Sequence, residues 1–152
     1  MNTSANNAYL QSKVLTATPE QLQLMLYDGA IRFCEQARPA LEQKNFEASH
    51  NSLTKAQRIL LELQGGLKKD LAPDICKNLA GLYAFCYRKL IDANMKHDVQ
   101  ALDEALDILK FQRETWRLLL DQLAKEKAAA NARRIDMPAP DARMEASISL
   151  QG

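Results

Sequence analysis

The sequence has few of the residues that build turns, cross-links or membrane anchors. Glycine and proline each occur five times among 152 residues, which argues against an all-β or linker-rich chain. The three cysteines form no Cys-x-x-Cys pair, so neither a zinc motif nor a redox motif is present. No apolar run approaches the ~20 residues of a membrane span, and the polar N-terminus lacks a signal-peptide core. We therefore expect a cytoplasmic protein with reduced thiols.

An excess of either charge is also absent. Twenty lysines and arginines face 19 aspartates and glutamates, for a net charge of +1. This balance argues against a dedicated nucleic-acid binder and against attachment to a membrane by charge. The sequence contains no phosphate-binding glycine loop and no nucleophile elbow. Alanine, leucine, glutamine, lysine and glutamate dominate instead, and this composition favours helix.

Start and stop signals divide most of the chain into four helices. Thr18 is a predicted N-cap, with Pro19 at the first helical position and Gln21 completing a capping box. The cysteines fall inside these helical segments, where we expect them to be small buried groups. The other boundaries rest on the same kinds of signal, namely N-caps at Asn45 and Asp98, a terminal glycine pair at 65–66 and an opening proline at Pro73.

Apolar residues recur at helical spacing within these segments. The second helix carries a heptad-like seam, and the fourth carries a seam whose one polar member is Arg113. We expect the Arg113 stem to lie along the core edge with its head in water, and the alternative is a specific partner contact. In the first helix the period continues past Pro39, which predicts a kink rather than a stop. The seams are Phe46, Ser49, Leu53, Ala56, Leu60, Leu63 and Leu67, and Val99, Leu102, Leu106, Leu109, Trp116, Leu120 and Leu123.

The short connections predict an all-α fold, an antiparallel up-down four-helix bundle over residues 18–128. Residues 1–17 place a few apolar side chains in a polar stretch that is too short to hold a helix alone. We expect this segment either to dock on the bundle, as a movable cover, or to stay loose. Residues 129–152 contain two prolines and few large apolar groups, so they are predicted to be a disordered, flexible tail.

The sequence gives little support for a metal site. A di-iron bundle site needs two Glu-x-x-His motifs, but only Glu47 and His50 match, because Asn94 stands three residues before His97. We therefore expect no metal site and no cofactor. Three carboxylates on the fourth helix are interpreted as a solvated face: Asp103, Glu104 and Asp107.

Histidine phosphotransfer is the alternative function that the sequence leaves open. It needs an exposed histidine on a helix near a cation, and His50 is followed by Lys55. The typical pattern, however, has lysine and then glycine where this chain has Leu53 and Thr54. An all-helical enzyme that uses scattered arginines, such as a chorismate mutase, has no positive support in the pattern.

The first and third helices carry two apolar stripes each, more than a four-helix core needs. The surplus includes tyrosines, which combine an apolar ring with a polar tip and are favoured at interfaces. Gly29 costs ~1 kcal/mol relative to alanine within a helix and, beside Ala30, would let another backbone approach closely. The surplus is either a thick core under the N-terminal segment or a groove for a partner helix. Both interpretations apply if the N-terminal segment covers the groove until a partner displaces it.

Three sequence blocks share a pattern with a known family. The most specific is the run Leu-Met-Leu-Tyr-Asp-Gly-Ala-Ile at 24–31, which follows Tyr9 and the stretch 14–22. The second and third blocks fall within 55–63 and 78–94. In this order the blocks resemble the flagellin export chaperones called FliS, over residues 8 to 124. The tail after Lys127 matches no pattern of that family.

The resemblance implies a small helical bundle without catalytic activity. Such chaperones bind the disordered C-terminal segment of flagellin in the cytoplasm, prevent premature polymerisation and deliver flagellin to the flagellar type III export gate. The bound segment wraps around the bundle, and the chaperone's own N-terminal segment can occupy part of the same surface. We expect flagellin and the export gate as partners, other flagellar regulators as further candidates, and a monomer or weak homodimer.

The resemblance also implies which residues contact flagellin. Tyr9, Leu10 and Val14 are the predicted movable cover. Two polar members of the family blocks, Asp28 and Asn94, are either partner contacts or groups that cap helices and satisfy the core. The predicted surface beneath or near the cover comprises Leu22, Met25, Tyr27, Gly29, Ala30, Ile31, Tyr83 and Tyr87.

Overall fold

The computed structural model describes residues 3–68, 70 and 72–136, and every regular element among them is a helix. This confirms the all-α class. The N-terminal segment adds a fifth helix to the four that the sequence predicts. The helices are α1 (Thr3–Thr16), α2 (Pro19–Glu42), α3 (Phe46–Gly65), α4 (Pro73–Lys96) and α5 (Val99–Asp136).

The chain divides into two compact units, Met1–Arg117 and Leu118–Gly152. In the second unit the described residues are helical, and those from 121 to 136 are exposed. The predicted flexibility of residues 129–136 stays a prediction, but these residues belong to helix α5. The reason is alanine, the strongest helix former, which occupies four of the positions from 128 to 132. The rest of the predicted tail, 137–152, lies outside the described residues.

The predicted N-caps are confirmed. The Thr18 hydroxyl accepts a hydrogen bond from the Gln21 backbone N–H at 3.2 Å, and the Gln21 side chain accepts one from the Thr18 N–H at 3.0 Å. The side chains of Asn45 and Asp98 accept bonds from backbone N–H groups three residues further on. Each cap satisfies donors that the first helical turn leaves free, so the start of each of these helices is set locally.

The helices end close to where the sequence predicts, but the residues that end them do not always have the predicted backbone conformation. Pro39 lies inside α2, which continues to Glu42 as predicted. Gly66 ends α3 with a φ of −83°, so the glycine pair does not use the left-handed conformation that glycine permits. Positive φ angles occur instead at Lys44, with a φ of 58° just after α2, and at His97, with a φ of 54° at the end of α4.

A single buried cluster joins α2, α3, α4 and α5. The two predicted seams supply seven of its 19 buried residues, and Leu53, Leu60, Leu90 and Leu109 are almost completely shielded from solvent. Small residues stand between the leucines and let the helices approach closely. These small core residues are Ala30, Cys34, Ala37, Ala56, Cys86, Ala93, Ala101 and Ala105.

All three cysteines are free and buried, as predicted. Burial raises the pKa of the Cys34 thiol to about 12 and that of Cys86 to about 11. Both thiols are therefore protonated at neutral pH, and since the thiolate is the reactive form, they act as packing groups.

Ion pairs between helices converge on α5. Asp103 accepts from Arg38 of α2 at 2.8 Å, and this bond holds the pKa of the Asp103 carboxyl below its usual value. Glu104 pairs with Lys89 of α4 at 2.7 Å. Both carboxylates remain partly exposed, at 40% and 41%, so they lie on a solvated face as predicted and also pair with cations of neighbouring helices.

Arg113 makes a contact within the bundle that the sequence did not predict. Its guanidinium donates to the Asp28 carboxylate of α2, so its head is held by a partner helix and not only by water. Both side chains are partly exposed, and such pairs contribute about 1 kcal/mol or less. These ion pairs instead orient the two helices, because they specify which faces of α2 and α5 meet.

The N-terminal segment forms the helix α1, although its length predicts only marginal stability for an isolated helix. Its side chains from residue 4 to residue 16 are all exposed, including Tyr9 at 67% and Leu15 at 84%. Docking of this segment on the bundle therefore stays a prediction.

The adjacent leucines Leu60 and Leu61 test this description of the core. Leu60 is 1% exposed and Leu61 is 51% exposed. Leu60→Ala is expected to lower the free energy of unfolding by about 2–5 kcal/mol, because it leaves a cavity. Leu61→Ala is the matched control, with an expected change within about 0.5 kcal/mol. Urea unfolding measures both, and equal losses would contradict the burial pattern.

Candidate partner-binding surface

Tyr27 and Tyr83, both predicted as partner contacts, form a buried pair in the core. They are 2% and 1% exposed, their hydroxyls hydrogen-bond to each other, and their ring centroids are 6.3 Å apart. Gln23 donates a further bond to the Tyr83 hydroxyl at 3.4 Å. Burial, followed by the bond from Tyr27, raises the pKa of Tyr83. In this conformation both tyrosines are core residues.

Three more predicted contacts also lie in the core, namely Gly29, Ala30 and Ile31. A Cβ atom on Gly29 would meet the Ile59 Cδ1 atom at 3.1 Å, so close approach is indeed required here. The approaching group is the end of a side chain from α3, however, and not another backbone. These residues are buried because α2 turns this face towards α3 and the shared core.

The remaining predicted contacts on the bundle are half-buried, and three of them have partners within the protein. Asp28 pairs with Arg113, Tyr87 packs against the core, and the Asn94 amide bonds to the His50 ring. The reading of Asp28 and Asn94 as groups that satisfy the fold is therefore supported. Leu22 and Met25 are the predicted contacts that retain accessible apolar surface on α2.

Two depressions flank the first half of α2. One lies beside the end of α1 and includes Met25, Leu24 and Asp28. The other is a cleft of about 250 Å³ at the end of the bundle, formed by the starts of α2 and α4, by residues just after α3 and by Trp116 of α5. We call this second depression the end cleft. Its lining residues are Pro19, Glu20, Gln23, Gly66, Leu67, Lys68, Leu79 and Trp116.

Trp116 helps to shape the end cleft. Its indole N–H donates to the Glu20 backbone carbonyl at 2.8 Å, so the ring is held at the first turn of α2. Gln23 connects the cleft to the buried tyrosines through its bond to Tyr83. The periodicity places Trp116 in the seam of the fourth predicted helix, which is α5. It does not predict the cleft, because the lining residues come from four separated parts of the chain. The feature of the sequence that could have indicated the cleft is an aromatic residue, Trp116, in a seam made mostly of leucines.

The predicted cover residues lie together on α1. Leu10 and Val14 line a shallow depression with Gln11 and Leu15, and Tyr9 is exposed on the same helix. The last residues of α1, Lys13 and Thr16, lie beside the α2 depression. The structure thus places the end of α1 next to the candidate surface and leaves its apolar side chains accessible.

The residues considered for chemistry lie apart from this surface. His50 is exposed, bonds to Asn94 and lines a polar depression with Thr54 and Lys55. Among the described residues, no three histidine, cysteine, aspartate or glutamate side chains form a group that could hold a metal ion. Within the same residues, no helix is both long enough and apolar enough to cross a membrane.

Fold and surface together define a class: a small helical protein whose candidate functional feature is an accessible apolar surface along one helix. Comparison with known proteins identifies the member of that class. Residues 1–123 match the family model described as flagellar protein FliS, and the chain belongs to the FliS family. The resemblance seen in the sequence is confirmed.

Relatives and a solved structure agree with this assignment. The chain is 33% identical to the flagellar secretion chaperone FliS of Bacillus subtilis, over 79% of this chain and 89% of that protein. It is 37% identical to the protein of the same name from Salmonella typhimurium, over 71% and 81% of the two chains. A crystal structure of a bacterial flagellar chaperone has the same fold, with a TM-score of 0.65 at 21% identity, over 80% of this chain and 99% of that one.

The tyrosine pair provides a test of its structural role. Tyr27→Phe leaves the buried Tyr83 hydroxyl with one partner fewer and is expected to lower the free energy of unfolding by about 1–3 kcal/mol. The double variant with Tyr83→Phe is expected to lose less than the sum of the single losses, because the removed groups satisfy each other. Chemical denaturation measures the cycle, and strictly additive losses would contradict the direct bond.

Proposed function

We propose that the protein is a cytoplasmic export chaperone that binds the disordered C-terminal segment of flagellin. In this role it prevents premature polymerisation and delivers flagellin to the flagellar type III export apparatus. The observation that carries the proposal is the accessible apolar surface along the first half of α2, with the end cleft beside it. The names of the relatives, which are flagellar secretion chaperones, support the same function.

The surface suits a flexible ligand. A disordered segment loses conformational entropy when it binds, and it offsets this cost by burying a large apolar area. The two depressions on α2 and the exposed apolar face of α1 provide separate contact points along an extended path. Leu22 and Met25 are the proposed contacts from the sequence, and Leu67, Leu79 and Trp116 extend them into the end cleft.

The N-terminal segment, residues 1–17, is proposed to act as a movable cover. Its apolar side chains Tyr9, Leu10 and Val14 are accessible, and its last turn lies beside Met25. When no partner is bound, docking of this face on α2 would bury apolar surface on both helices. Flagellin would then compete with the segment for the same site.

The architecture proposed with this function is an antiparallel arrangement of α2 to α5, which the short connections favour. We further propose a monomer or weak homodimer that has no catalytic activity and uses no cofactor. Its proposed partners are flagellin, the export gate and, as further candidates, other flagellar regulators. No observation favours phosphotransfer by His50, whose ring is bonded to Asn94, so no second function is advanced.

Two methionines test the proposed binding surface. Met25 lines the α2 depression, whereas Met95 on α4 is 77% exposed and lies outside both depressions. Met25→Ala is expected to weaken binding of flagellin about tenfold, a loss of about 1.4 kcal/mol. Met95→Ala is expected to change the affinity less than twofold. Calorimetric titration with full-length flagellin measures both variants.

The controls separate binding from folding. Both variants should keep the unfolding midpoint of the parent within the small shift expected of a partly exposed side chain. Flagellin that lacks its C-terminal segment should not bind, and His50→Ala should bind normally. Equal binding of full-length and truncated flagellin would contradict the proposed function. Equal effects of the two methionine substitutions would contradict the proposed site.

A further inference from the structure

A second surface, on the opposite half of α2 and the adjacent part of α3, carries positive charge around an aromatic ring. The guanidinium carbon of Arg32 lies 5.1 Å from the centroid of the Phe33 ring. The Lys55 ammonium of α3 lies 5.4 Å from the same centroid. Phe33 is half-buried against the core, which fixes the ring, while both cations are exposed. Two helices thus bring like charges to one side chain.

Lys55 connects this ring to a neighbouring depression on α3. The depression is lined by Lys55 and Arg58 together with His50, Asn51 and Thr54. Its lining is therefore polar and basic, with several hydrogen-bond donors. We call Arg32, Phe33, Lys55 and Arg58 the basic patch.

The cations of the basic patch have no ionic partners among residues 3–68, 70 and 72–136. No carboxylate oxygen of these residues lies within 4 Å of Arg32, Lys55 or Arg58. Even Glu62, one helical turn beyond Arg58, makes no such pair. On α5 and next to it, by contrast, Arg38, Lys89 and Lys110 each pair with a carboxylate. A cluster of unpaired cations is costly in self-repulsion and is relieved by an anionic partner.

We propose that the basic patch is a docking surface for an acidic segment of a partner protein. Carboxylates of that segment would pair with Lys55 and Arg58 over the depression and with Arg32 beside it. An aliphatic or aromatic side chain next to those carboxylates would pack on Phe33. None of these residues belongs to the proposed flagellin surface, so the chain would offer two separate sites and could hold two partners at once.

The dimensions of the basic patch favour a peptide over other polyanions. Two cations beside one ring and a third cation in the adjoining depression match two or three carboxylates on consecutive turns of a short segment. A nucleic acid or an anionic membrane calls for a broad basic face, whereas this chain has a net charge of only +1. Charge complementarity therefore selects an acidic segment that includes an apolar anchor.

A matched pair of double variants tests the proposal. Lys55→Gln with Arg58→Gln removes two charges from the basic patch. Lys77→Gln with Arg88→Gln removes the same two residue types from exposed positions on α4 that pair with no carboxylate among the described residues. The probe is a short fluorescein-labelled peptide in which glutamates alternate with leucines, and its control is the same peptide with glutamine for glutamate. Fluorescence anisotropy at low salt measures affinity, and thermal unfolding checks that each variant folds.

The parent is expected to bind the acidic peptide and not the glutamine peptide. The patch variant should bind at least about tenfold more weakly, the α4 variant within about twofold of the parent, and added salt should weaken binding. No binding by the parent, or equal loss in both variants, overturns the proposal. Tighter binding of phosphatidylglycerol vesicles or of a single-stranded oligonucleotide overturns it in favour of lipid or nucleic acid. A dimer, seen by light scattering, that the patch variant abolishes overturns it in favour of a second copy.

Discussion

The rest of the structure depends on one constraint: four helices must each bury an apolar face in a shared core. The cluster that joins α2 to α5 takes up the leucines and the small residues between them. It also takes up Tyr27 and Tyr83, whose hydroxyls can be buried because they bond to each other. Since these tyrosines belong to the core, the predicted contacts that keep accessible apolar surface are Leu22 and Met25 on α2 and the apolar groups on α1. The location of the candidate surface is thus a consequence of core packing.

Charge pairing adds a second level of organisation. The interhelical ion pairs link α5 to α2 and α4, and they specify which helix faces meet. Their individual contributions to stability are small because the side chains are partly exposed. The same pairing leaves the α2–α3 face with unpaired cations around Phe33. The protein therefore presents an apolar region and a basic region, each accessible for a different physical reason.

The helices, their caps and the seams could be predicted because each depends on residues close in sequence. Thr18 with Gln21 is a local signal, and so is the heptad spacing around Leu60. The site was harder to predict, because two stripes on a helix do not indicate which one faces the core. Tyr27 and Ala30 were therefore placed on a surface. The end cleft and the basic patch join residues from separated segments, such as Trp116 with Glu20, and no local pattern reports such contacts. The helix at 129–136 was missed because the nearby prolines outweighed a run of alanines.

The central claim is that a flagellin segment binds along the first half of α2. Hydrogen–deuterium exchange of the protein, alone and saturated with the flagellin C-terminal segment, tests this claim most directly. The first few backbone N–H groups of a helix have no intrahelical partner and the next turn opens easily, so exchange there responds to a bound partner. Our account predicts slower exchange on binding at residues 19–28 and in the residues of the end cleft. Unchanged exchange at residues 19–28, together with protection elsewhere on the chain, would contradict it.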